Sequence, residues 1–148
     1  MPIFIDKFEI SDDDVHKEMQ HHPAPTLEEA RREASRALTI KTLLLQAAVD
    51  HDLATADELK NLDESKEELL IERLLEKVII LPSADDKTCQ RYYDQHQDRF
   101  KDKTTGAPLP YVLVKAHIKS YLEDKGHQAA FNAFIDSLMD KVNIVGLA

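Results

Sequence analysis

Helix starts are written into this chain at five places. Thr26-Leu27-Glu28-Glu29, Thr55-Ala56-Asp57-Glu58, Ser65-Lys66-Glu67-Glu68 and Ser83-Ala84-Asp85-Asp86 each set a hydroxyl three residues ahead of a carboxylate. In that arrangement the hydroxyl and the acid satisfy, reciprocally, N–H groups that the first helical turn leaves free. Ser11, ahead of Asp12-Asp13-Asp14, adds a fifth start with three anions at the positive end of the helix dipole. Pro23, Pro25 and Pro82 mark where the preceding helices must stop. With only 3 Gly in 148 residues, the expected fold is mainly α.

The apolar pattern agrees with these starts. Leu27, Ala30, Ala34, Ala37, Leu38, Leu44, Leu45 and Ala48 keep close to a 3.6-residue period and predict a long amphipathic helix over roughly 26 to 51. Its Ala-rich beginning would let another helix approach closely. A short helix follows Thr55. The next carries Leu69, Leu70, Leu74, Leu75 and Val78, and another spans Ser83 to Phe100 with Cys89, Tyr92 and Tyr93. Two terminal helices are expected, one over about 111 to 124 with Val112, Leu113, Ala116, Tyr121 and Leu122, the other over about 126 to 141 with Ala130, Phe131, Phe134, Ile135, Leu138 and Met139. Between them and the aromatic helix lies Lys101–Pro110, whose Gly106, Pro108 and Pro110 make it the clearest break. At the ends, Ile3, Ile5, Phe8 and Ile10 alternate at period two around Asp6-Lys7, and Asn143-Ile144-Val145-Gly146-Leu147 is β-prone; these short terminal strands are able to pair.

Length and composition bound the function. A single domain over 1–148 suffices, with a part at 1–100, the loop 101–110 and a part at 111–148, and a compact chain of this size buries roughly 68–70% of its unfolded surface. At 43% hydrophobic residues the chain is too apolar for disorder, and its longest apolar runs fall short of the ~20 residues that span a bilayer. A net charge of −9, from 28 acidic against 19 basic residues, argues against a nucleic-acid partner and for solubility. Met1-Pro2-Ile3-Phe4-Ile5-Asp6-Lys7 has no secretory pattern, so a cytoplasmic location is expected of a chain that begins there.

Motifs for chemistry are sparse. There is no Gly-rich phosphate loop and no nucleophile elbow, and the single cysteine, Cys89, reads as a small buried hydrophobe. His16, His21 and His22 lack the three- or four-residue spacing of a helical metal clip, although Glu18 is near. His117, between Val112 and Leu122, reads as part of a helix face. No metal, cofactor or catalytic residue is expected. Tyr92, Tyr93 and Phe100 have two readings, as core or as the lining of an apolar groove with a polar rim.

Several segments, taken in order, carry a family resemblance. Met19-Gln20-His21-His22-Pro23-Ala24-Pro25, Leu43-Leu44-Leu45-Gln46-Ala47-Ala48, Leu70-Ile71-Glu72-Arg73-Leu74-Leu75-Glu76 and Thr88-Cys89-Gln90-Arg91-Tyr92-Tyr93, with the terminal pattern Val112, Ile118, Leu122, Phe131, Ile135, Leu138 and Asn143–Leu147, resemble the non-catalytic part of parvulin-type peptidyl-prolyl isomerases of the NifM and SurA kind. The resemblance implies a helical domain like the peptide-binding domain of SurA and trigger factor, with the loop 101–110 standing where relatives carry the isomerase module. Ten residues cannot build such a module. It further implies a non-catalytic chaperone or assembly factor for unfolded or extended client polypeptide, with Tyr92, Tyr93, Phe100, Phe131 and Phe134 as peptide-binding candidates. Two rivals stand beside it: an interaction module acting as a homodimer, possibly by exchange of terminal segments, and an enzyme of unrecognised type using a histidine and an acidic neighbour.

Overall fold

The computed structural model describes residues 1–147 and is mainly helical, with one small antiparallel sheet. Strand β1 (Ile3–Ile5) turns through Asp6 and Lys7 into β2 (Phe8–Ile10), and β3 (Ile144–Val145) pairs with the other edge of β1, giving the order β2-β1-β3. Ile3 lies opposite Ile10, and Ile5 opposite both Phe8 and Ile144. Strand alternation then puts Ile3, Ile5 and Ile10 on one face, where each is at most 3% exposed, and Phe4, Glu9 and Val145 on the other. The expected pairing of the terminal strands is therefore present. Asp6 holds it. With a left-handed φ of 52° it turns the hairpin, its N–H donates to the Asn143 carbonyl at 2.8 Å, and its Oδ1 accepts from the Asn143 N–H at 2.9 Å. Gly146 is required on the far side: at φ 89°, a Cβ there would lie 2.5 Å from the Pro2 carbonyl oxygen.

The helices begin where side chains cap them. Helix α1 (Asp12–Met19) starts at a complete Ser11/Asp14 capping box, α2 (Leu27–Asp50) at Thr26 and α3 (Ala56–Leu59) at a complete Thr55/Glu58 box. Two starts differ from the expectation. Helix α4 (Glu64–Val78) is capped by Asp63, whose Oδ1 accepts the Lys66 N–H at 2.8 Å, and α5 (Asp86–Gln95) by Asp85, which takes the Thr88 N–H at 2.7 Å. In both, a carboxylate near the hydroxyl takes the cap, because an anion makes the stronger, charge-assisted bond at the dipole's positive end.

The chain divides into two compact units. The first comprises 1–78 and 132–148. There α1 and α4 pack on α2, and the sheet's inner face meets Val15, Ala34 and Leu43, flanked by Met19, Leu38, Leu138, Met139, Val142, Ile144 and Leu147. Thr39, fully buried within α2, returns its hydroxyl to the Ser35 carbonyl at 2.7 Å, so no polar atom is stranded there. Leu27, counted with the apolar stripe, is instead 80% exposed, since it lies at the first turn ahead of the packed region.

The second unit, 79–131, holds α5, a 3-10 turn (Gln97–Phe100), the loop 101–110 and the beginning of α6 (Tyr111–Asp140). Its core is Cys89, Tyr93, Phe100, Val114 and Ile118. The two expected terminal helices are one. Gly126 does not break α6, because a helical Gly costs only about 1 kcal/mol relative to Ala and needs no change of direction. The buried face of α6 runs Tyr111, Val114, Ile118 and Leu122, so Val112 and Leu113, named among the apolar residues of the expected helix, are 77% and 70% exposed. The loop is closed on itself: Lys101 bridges to Pro108, Asp102 N–H donates to Ala107 O, and Leu109 N–H donates to Phe100 O at 2.7 Å.

Candidate functional site

Adjacent residues on a helix diverge by about 100°, and this decides the fate of the two tyrosines of α5. Tyr93 turns inward, 8% exposed, stacks on Phe100 at 5.6 Å and donates its hydroxyl to the Leu109 carbonyl. Tyr92 turns toward an open cavity. The 3-10 turn after His96 brings Phe100 back against both rings, edge-on to Tyr92 at 6.2 Å, and His96 stacks on Tyr92 at 4.2 Å.

The cavity has a volume of about 180 Å³ and is lined by Tyr92, Arg99, Phe100, His117, Ile118 and Tyr121. Its floor is apolar, for Phe100 and Ile118 are 9% and 1% exposed. Its rim is polar. Arg99 Nη1 donates to the Tyr92 hydroxyl at 2.8 Å, and the Tyr92 and Tyr121 rings lie 5.6 Å apart. Lys125 Nζ stands 5.3 Å from the centre of the Tyr121 ring, within cation–π range. Lys125 and then Tyr92 stabilise the Tyr121 phenolate, with a smaller contribution from Arg99, and hold its pKa below the usual tyrosine value. The same phenols, Tyr92 first, push the Arg99 guanidinium upward. Such a rim offers cationic and hydroxyl donors to an anion, above a surface that takes an apolar group.

At the other end of α5, Tyr111 donates to Asp86 Oδ1 at 2.8 Å and Lys115 pairs with it at 3.3 Å. Those hydrogen bonds, Tyr111's first, lower the pKa of Asp86; burial, followed by Asp86 itself, pushes Tyr111 up to about 12. This pair fastens the start of α6 to the start of α5.

Of the five residues expected to bind peptide, the structure brings three together. Tyr92 lines the cavity, Phe100 forms its floor, and Tyr93 belongs to the core behind it. Phe131 and Phe134 are half-buried farther along α6 and do not line it; Phe131 falls in the second unit and Phe134 in the first. Arg99, His117 and Tyr121 were not anticipated as site residues. A signal existed, since His117 and Tyr121 are four apart on a helix and Arg99 follows Tyr92 by seven residues, but the 3-10 turn that folds Arg99 back is not written in any period.

Cys89 is 2% exposed and burial raises its thiol pKa, which suits an unreactive core residue. His22 Nε2 lies 3.0 Å from Glu18 Oε2. Among the described residues no three His, Cys, Asp or Glu side chains are placed to hold a metal ion, and no helix is long and apolar enough to cross a membrane. No family model matches the chain, and neither a curated protein nor a solved structure does.

Proposed function

We propose that this protein is a non-catalytic polypeptide-binding factor, a chaperone or assembly factor of the kind that SurA-like helical domains represent. The observation that carries the reading is the cavity: an apolar floor of Phe100 and Ile118 beneath a rim of Tyr92, Tyr121, Arg99 and His117, open to solvent on one side. At about 180 Å³ it is smaller than the roughly 300–1,000 Å³ of pockets for drug-sized ligands. Its natural occupant is one side chain of a longer polymer. An extended polypeptide presents such side chains singly, and its backbone can find donors along a polar rim. The order of helices and terminal strands, resembling the parvulin-type relatives without their isomerase module, supports the same reading.

The test is suppression of aggregation of a chemically unfolded model protein, with the protein in stoichiometric excess and a proline-limited refolding reaction run in parallel. The expected outcome is suppression without faster refolding, weakened several-fold in a Tyr92→Ala/Tyr121→Ala double variant that keeps its helical circular dichroism. Acceleration of the proline-limited phase would overturn the non-catalytic reading, and inactivity in both assays the polypeptide-binding one. A second reading, a homodimeric interaction module, is favoured by the exposed Val112 and Leu113. Sedimentation equilibrium showing a dimer mass constant over dilution, together with no client binding, would select it.

A further inference from the structure

We propose that the cavity captures the free carboxyl end of a polypeptide, with an apolar last side chain on Phe100 and Ile118 and its α-carboxylate between Arg99 and the hydroxyls of Tyr92 and Tyr121. This rests on the polypeptide-binding reading and gives it a substrate class. Three observations converge on it.

The first is the state of Arg99. A guanidinium carries five N–H donors in a planar fork that matches a carboxylate, yet the partner it meets at hydrogen-bond distance is a phenol, at 2.8 Å. Among the described residues no carboxylate lies within ion-pair distance of it; the adjacent Asp98 is paired instead with Lys101 at 3.2 Å. The Tyr92 hydroxyl accepts one Arg99 N–H, and the other donors of the guanidinium fork remain available to an incoming carboxylate.

The second is the juxtaposition of that cluster with an apolar floor in a volume of about 180 Å³. A buried acidic side chain would need only the donors, and an internal apolar side chain only the floor. A terminal apolar residue brings both groups on one Cα, separated by a few bonds.

The third is charge. Residues 79–131 hold eight Lys and Arg against seven Asp and Glu, a balance of +1; since the whole chain carries −9, the remaining residues carry −10. The unit that holds the cavity is thus near neutral within an acidic chain, and its net charge does not oppose an anion.

Fluorescence anisotropy on the full chain tests the assignment with an N-terminally labelled Gly-Ser-Gly-Ser-Leu peptide as the free acid, the same peptide as the C-terminal amide, and an amidated version with an internal glutamate. The free acid is expected to bind at least tenfold more tightly than either amide. Arg99→Gln, on an exposed side chain, should remove that difference, and Arg99→Lys should restore part of it. Equal affinity of acid and amide would overturn the carboxyl-end assignment while leaving polypeptide binding standing. Equal binding by the internal-glutamate amide would replace a chain end with any carboxylate, and an unaltered preference in Arg99→Gln would also overturn the proposal. Failure of all three peptides to bind, beside active suppression of aggregation, would place client binding elsewhere; failure in both assays would remove the broader reading with it.

Discussion

Tyr111 and Tyr121 sit on one helix and are driven in opposite directions by what each touches. Tyr111 is displaced upward to about 12 by burial and by its hydrogen bond to Asp86, Tyr121 downward by Lys125 and the neighbouring donors. Because the folded-state value of Tyr111 exceeds the unfolded one of about 10, its contribution to stability is complete below pH 10 and is lost as pH rises toward 12. Asp86 runs the other way: its folded value is depressed, so its contribution is present above the ordinary carboxylate range and is lost as pH falls through the folded value. Per-residue titration by 13Cζ NMR is expected to find Tyr111 ionising near pH 12 and Tyr121 below pH 10. In Asp86→Asn the Tyr111 midpoint should fall but stay above 10, because desolvation, the larger cause, remains. A Tyr111 midpoint at 10 in the wild-type chain would contradict the burial described at the α5–α6 contact.

At the level of the element, α6 separates what propensity says from what packing decides. Gly126 sits mid-helix, and a Cβ added there would meet Leu81 Cδ1 at 3.5 Å, an ordinary contact. Gly126→Ala is therefore expected to stabilise the protein by about 0.5–1 kcal/mol, partly by restricting the unfolded chain. For a chain of this length that is a rise of roughly 1–4 °C in Tm, read by circular dichroism. A fall would mean that Leu81 cannot accommodate the methyl group. The same helix shows the limit of periodicity as a guide. Val114 and Ile118 were hard to separate from Val112 and Leu113 in an almost continuous apolar run, and only the tertiary partners Cys89, Tyr93 and Phe100 fix the phase. Caps were more legible, since Ser11, Thr26 and Thr55 depend on three-residue spacing alone. Where a hydroxyl and an aspartate competed, at Ser65 against Asp63 and at Ser83 against Asp85, spacing could not choose between them.

For the molecule as a whole, the mainly helical character and the pairing of terminal strands were readable from local pattern, whereas the cavity was not. Tyr92 and Phe100 announced themselves as aromatic, but Arg99 becomes part of a site only through a 3-10 turn and Tyr121 only through the phase of α6. The terminal pairing carries its own expectation. Truncation after Val142 removes Ile144 and Leu147 from the first unit's core and leaves one edge of β1 bare, so stability measured by urea unfolding should fall by roughly 2–4 kcal/mol. An unchanged midpoint would show β3 to be ornamental. The register Phe4–Val145 also sets a clock for synthesis. Once Ile3 and Ile5 have been synthesised, β1 cannot gain its second neighbour until residue 145 has followed, about 7–28 s later at 5–20 residues per second. During that interval the nascent chain displays an unpaired β-edge, and the protein completes its fold only after nearly all of this sequence has emerged.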